Sequence, residues 1–125
     1  MTDVAMRPVD RSATPRGYAT LDVPGMVDLL QRVLGRALFA ITLDRNPKTI
    51  ARWVNGELPR ESEEQRLRDL TQVLELMLLE EEPAVVRAWF MGMNPQLDDE
   101  SPAEVFAAGR ARDVIAAARA FLNAG

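Results

Sequence analysis

Apolar residues recur along this chain at the three-and-four spacing of helices, and no stretch shows the strict alternation of a half-buried strand. Met26, Val27, Leu29, Leu30, Val33 and Leu34 share one face of a first helix that begins after Pro24 and stops at Gly35. A second, short helix follows in "RALFAITL", with Leu38, Phe39, Ile41 and Leu43 apolar, and the turn "DRN" leads out of it. In "NPKTIARWVNG" Asn46 is a good N-cap and Pro47 sits where a missing N–H costs nothing. Ile50, Trp53 and Val54 form the apolar edge of this third helix, and Asn55-Gly56 predicts a left-handed stop.

The longest periodic stretch is "ESEEQRLRDLTQVLELMLLEEEP". Ser62 and Gln65 fit a capping box, predicting a helix from about residue 63 to 81. Leu67, Leu70, Leu74, Met77 and Leu78 make its main stripe, and Val73, Leu76 and Leu79 widen the apolar surface. Such a helix is covered on two sides, within the domain or at a dimer seam. Pro83 opens another helix carrying Val85, Val86, Trp89, Phe90 and Met93, and Asn94-Pro95 breaks it. Trp89 and Phe90 are adjacent, so one should be core and the other should lie near an interface. "SPAEVFAAG" has a Ser101–Glu104 capping box, Pro102 at the first position and Gly109 as a stop. A last helix over residues 111–122 holds Val114, Ile115, Ala118, Phe121 and Leu122.

The predicted fold is therefore all-α: an N-terminal helix-turn-helix bundle over residues 21–60, a connecting helix over 61–82, and a small C-terminal helical domain over 83–125. Residues 1–20, with Pro8, Pro15 and Gly17 and no apolar period, read as a flexible arm.

Composition narrows the chemistry. The chain has no cysteine and no histidine, which removes thiolate nucleophiles, disulfides, the commonest general base and the commonest metal ligand. No motif gathers the remaining carboxylates, lysine or hydroxyls into a catalytic set, so no enzymatic activity and no cofactor is expected. No run reaches the roughly 20 apolar residues of a membrane span, and the N-terminus lacks a signal-peptide core; a cytoplasmic protein is expected. Charge is uneven: residues 1–60 carry nine Lys/Arg against six Asp/Glu, and residues 61–125 carry six against thirteen. A basic half beside an acidic half suggests two kinds of partner.

The basic half has a local focus. With Ile50, Trp53 and Val54 turned inward, Lys48, Thr49, Arg52 and Asn55 face outward as a set suited to a DNA groove. Arg45 in the turn and Arg60 beyond it would add backbone contacts. Ala40 suits a close helix crossing, and Asp44 stands at the turn position that glycine often fills, where aspartate tolerates the left-handed conformation. Set against DNA contact is a plain solvated helix, in which the like charges Lys48 and Arg52 at i, i+4 gain nothing. "LEEEP" and "LDDE" read as solvated helix ends, without the further ligands a metal site needs.

The residues "NPKTIARWVNGELPR", followed by a long helix and then "AWFMGMNPQLDDESPAEVFAAGRARDVIAAARAFL", resemble the Xre/MbcA/ParS-type antitoxins of bacterial toxin–antitoxin operons. The C-terminal pattern of Trp89, Asn94-Pro95, Leu97, Ser101-Pro102, Val105-Phe106, Gly109 and Val114 is the more specific part, and the likeness spans about residues 24–122. It implies a non-enzymatic antitoxin paired with a RES-domain, NAD-consuming toxin. It further implies a homodimer, or a larger assembly with the toxin, that binds operator DNA. Toxin-facing candidates under this resemblance are Asn94, Pro95, Gly109, Arg110, Arg112, Phe121, Leu122 and Asn123. Arg110 and Arg112 could occupy the place of phosphates in the toxin's pocket. The alternative is a stand-alone dimeric helix-turn-helix repressor; a third reading is an adaptor that has lost DNA binding.

Overall fold

The structure, a computed structural model, describes residues 21–124, so the arm expected over residues 1–20 lies outside the described residues. Those residues are all helical: α1 (Val23–Leu34), α2 (Arg36–Leu43), α3 (Pro47–Val54), α4 (Glu61–Leu78), α5 (Pro83–Met91), α6 (Pro102–Ala107) and α7 (Ala111–Ala124), with a 3₁₀ turn at Pro95–Leu97. None of these helices is long and apolar enough to cross a membrane.

Local chemistry sets most boundaries. Asp22 caps α1 by accepting the Gly25 N–H at 2.9 Å, which admits Val23 and Pro24 into the first turn. Gly35 joins α1 to α2 at a positive φ of 81° that a side chain would strain. Asn46 Oδ1 accepts the Lys48 N–H at 2.8 Å, and Gly56 at φ 105° lets the chain leave α3. Asp44 takes the left-handed conformation at φ 55° in the turn before α3, as its position predicts. Ser101 and Glu104 form the reciprocal box that starts α6.

The start of α4 differs from expectation. Its N-cap is Arg60, and the Arg60 N–H is taken by Glu63 Oε1 at 3.2 Å, so Ser62 and Gln65 lie inside the helix and do not cap it. Pro59 limits continuation from α3, and an acidic residue at the third helical position satisfies an otherwise orphaned N–H.

Buried residues from all seven helices form one cluster. α4 runs through it, packed by α1 and α7, with Leu67, Leu70, Val73, Leu74 and Met77 inaccessible to solvent. Most of the two-sided apolar surface of α4 is thus covered within a single chain, with Leu76 and Leu78 partly buried against the core and Leu79, just past the helix end, exposed. Phe39, Phe90 and Phe106 are the bulkiest fully buried side chains, each contributing about 1.5–3 kcal/mol of burial. α6 packs on α2, tying the C-terminal segment directly to the N-terminal helices. Arg66 reinforces that joint from α4, donating to Phe106 O at 3.0 Å with its guanidinium 5.3 Å from the Phe106 ring centre.

Several apolar residues do not sit where periodicity put them: Leu79, just past α4, and Val85 on α5 are exposed. Val54 is exposed at the end of α3; α5 stops at Met91, leaving Met93 in the following loop; and Ile41 faces solvent. Of the adjacent pair Trp89 and Phe90, Phe90 is the core residue, and Trp89 is half-buried, edge-on to Phe90 at 5.2 Å and 6.2 Å from Phe121.

Candidate functional site

The outward set on α3 emerges from the way its apolar edge is held. Ile50 and Trp53 are buried, which turns Lys48, Arg52 and Asn55 to solvent and leaves Thr49 half-exposed. Its cations are largely occupied within the chain. Arg52 Nε lies 3.3 Å from Glu57 Oε2, and its Nη2 reaches Thr49 Oγ1 at 3.4 Å. Arg45 Nε donates to Glu63 Oε2, and Arg60 Nε stands 3.9 Å from the other oxygen of the same carboxylate. Lys48 forms no salt bridge among the described residues.

Glu63 is the keystone of this corner, with a side chain only 10% exposed. Burial pushes its carboxyl upward. The Arg45 hydrogen bond, the Arg60 N–H and both guanidinium charges outweigh that, and the net pKa lies below the ordinary glutamate value. The cleft between α3 and the start of α4, about 440 Å³, is lined by Arg45, Arg52 and Arg60 but also by Glu57 and Glu63. Its field is therefore close to balanced and not strongly positive.

The C-terminal candidates divide into builders and exposed groups. Asn94 is buried, and its Oδ1 accepts the Gln96 N–H at 2.8 Å while its carbonyl accepts from Leu97 and Asp99. It builds the turn through that side-chain oxygen and its carbonyl. Pro95 opens the 3₁₀ turn and is exposed; the turn packs on α7. Gly109, at φ 88°, ends α6. Arg110 is exposed but paired with Asp113 at 2.8 Å and with Glu100 at 3.7 Å. Hydrogen bonding to Asp113 outweighs desolvation and raises its pKa. That pairing weakens the expectation that Arg110 presents a free guanidinium. Arg112 is exposed and forms no salt bridge among the described residues. Phe121 is 37% exposed against Trp89, Leu122 is half-buried, and Asn123 is exposed.

Sequence reasoning missed the acidic partners of the α3 edge and an apolar groove beside α2. Glu57 follows Arg52 by five residues, across the stop at Gly56, outside the helical pair spacings that sequence patterns exploit. Glu63 could have been found as the third residue of a helix starting directly after Pro59-Arg60. Among the described residues no group of three or more acidic side chains is arranged to hold a metal ion.

No family model and no curated protein matches the chain. Its fold matches a chain of the crystal structure of the M. tuberculosis MbcT-MbcA toxin-antitoxin complex, with a TM-score of 0.68 and 23% sequence identity, over 83% of this chain and 97% of that one. The architecture described above is thus one that a toxin–antitoxin complex contains.

Proposed function

We propose that this protein is the antitoxin of a toxin–antitoxin pair and acts by binding, not by catalysis. The observation that carries this reading is the fold likeness to a chain of the MbcT-MbcA toxin-antitoxin complex, which extends over nearly the whole of that chain. The C-terminal pattern from Trp89 to Val114 supports it from the sequence side. The toxin is a RES-domain, NAD-consuming protein, and the C-terminal end of this chain covers its active site through Arg112, Phe121, Leu122 and Asn123. Asn94, Pro95 and Gly109 shape that end, while Arg110 contributes through its acid-paired form. The chain works as a homodimer or in a larger assembly with the toxin.

Autoregulation by DNA is the second part of the proposal. α2, the turn at Asp44–Asn46 and α3 act as a helix-turn-helix, with Lys48, Thr49, Arg52 and Asn55 at the bases and Arg45 and Arg60 near phosphates. Because Glu57 and Glu63 already pair with three of these cations, the isolated chain binds DNA weakly. That favours an antitoxin over a stand-alone repressor, whose whole function would rest on this edge.

Co-expression with the neighbouring gene tests the reading. Growth arrest by the neighbour, relieved by this chain, with a stable copurifying complex, is the expected result. A neighbour that is harmless alone and does not copurify would remove the antitoxin assignment and leave repression to be tested by DNA binding.

A further inference from the structure

Three exposed apolar side chains meet at one place: Ile41 on α2, 57% exposed, Met91 at the end of α5, 57%, and Met93 beyond it, 82%. They border a groove of about 430 Å³ floored in part by Ala37 and Ala103. The groove runs on along α2 into a second depression of about 710 Å³ that reaches Asn46, and Ala37, Ile41 and Glu104 line both. Alanines on α2 and α6 keep the trough open, and the methionines that border it can reshape around a ligand. Along the eight residues of α2 the trough is about 12 Å long at ~1.5 Å per residue, which suits two turns of helix laid alongside.

Charge on the rim selects among possible occupants. Asp44 and Asp99 stand at the edges, each in a left-handed turn that fixes its direction, at φ 55° and 68°. Neither forms a salt bridge among the described residues. Glu104 adds a third carboxylate, held by its own cap to Ser101. Opposing them are Arg87, which lines the first depression together with Asp99, Arg66, which lies near enough to Asp44 to feel its charge, and Arg45, which Glu63 neutralises. The trough is therefore apolar along its length with an excess of negative charge at its margins.

We propose that this groove receives an amphipathic helix edged with lysine or arginine, belonging to the toxin that the chain neutralises. The inference rests on the antitoxin reading and adds a docking surface on α2, α5 and α6 to the C-terminal end named there. Apolar side chains of the incoming helix fill the space above Ala37 and beside Ile41, and its basic margin meets Asp44 and Asp99. Anchoring away from the covered active site would let the complex hold without every contact being made at the tail.

The test is a binding titration of the copurified toxin against the full chain and its variants, with circular dichroism to establish folding. Ala37→Trp and Ile41→Glu both alter exposed positions and should weaken toxin binding by ~10-fold or more, as filling or charging the centre of an apolar contact does. Asp44→Asn with Asp99→Asn keeps the turns and should weaken binding several-fold while flattening its salt dependence. A photo-crosslinking residue at position 41 should capture a toxin segment with lysine or arginine at helical spacing. If the wild-type chain forms no complex, the antitoxin reading itself fails. If it does, and the groove variants bind as wild type, the groove proposal alone is overturned. Capture of a second copy, or of residues 1–20, instead of toxin would also overturn it.

Discussion

On the edge of α3, Arg45, Arg52 and Arg60 each have a carboxylate from their own chain within salt-bridge distance, whereas Asp44 and Asp99 on the rim of the α2 groove have none among the described residues. The two surfaces share the turn between α2 and α3. One carries its own counter-charge, so an incoming polyanion must displace Glu57 or Glu63 before it gains a guanidinium. The other presents apolar area beside Asp44 and Asp99, which form no salt bridge among the described residues, although Arg66 lies near enough to Asp44 to feel its charge. A basic composition and a basic surface are separate properties: residues 1–60 have a positive excess, but the acids that cancel it at α3 come partly from Glu63, in the acidic half.

The largest test asks whether the two surfaces belong to one folding unit. Trp53→Ala removes the anchor of α3, and Phe106→Ala removes the residue that seats α6 on the core; both side chains are buried. Each should cost about 3–5 kcal/mol, and both should lower the same cooperative transition in chemical denaturation, because one core joins them. Separate transitions for residues 21–60 and 83–124 would break the comparison into two independent modules.

Next in size is Glu63→Gln, which loses the Arg45 ion pair and weakens the cap on the Arg60 N–H; a loss of about 1–2 kcal/mol near neutral pH is expected. Its sign with pH follows from the lowered pKa. A carboxyl depressed on folding stabilises fully above its unfolded value, about 4.3, and that stabilisation disappears as pH falls through the folded value. Thermal melts in acid should show wild type losing more stability than Glu63→Gln below about pH 4.3, so that the two converge. Parallel curves would mean that Glu63 is not the charge holding this corner.

A smaller effect sharpens the groove side. Ser101→Ala removes the hydroxyl that accepts the Glu104 N–H at 3.1 Å and should cost about 1 kcal/mol, read as a lowered denaturation midpoint. The smallest stability changes, within about 0.5 kcal/mol, are expected for Glu57→Gln and Lys48→Ala on the solvated α3 edge. Their signal lies in DNA titrations across salt. Glu57→Gln should tighten binding to upstream DNA by freeing Arg52, and Lys48→Ala should lower the salt slope by about 1. Equal affinity for wild type and Glu57→Gln would show that the internal pair places no restraint on this edge.

Helix number, most stops and two of the three residues assigned to the inner face of α3 were readable in advance because each depends on near neighbours in the chain; the third, Val54, is exposed. Asn46, Gly56 and Ser101 act on groups two to four residues away, and Ile50 and Trp53 announce a buried edge by spacing alone. The start of α4 was misplaced because two candidate caps overlap within a few residues, and the choice of Glu63 is reinforced by Arg45, eighteen positions earlier. The resemblance pointed to Asn94 and Arg110 as toxin-facing residues; in the fold the Asn94 side chain accepts the Gln96 N–H and Arg110 pairs with Asp113, partners that sequence pattern did not supply.

Local pattern thus specified an all-helical chain, its capping chemistry and a cation-bearing third helix, since hydrogen bonds and periodic burial within a few turns are encoded by adjacent residues. Folding decided which charges meet and which apolar side chains stay uncovered. Ile41 fits a core position by periodicity, but α6 reaches only part of α2, and Met91 and Met93 border the gap without closing it. Exposure is set by the sum of everything packed nearby, and most of that arrives from distant parts of the chain.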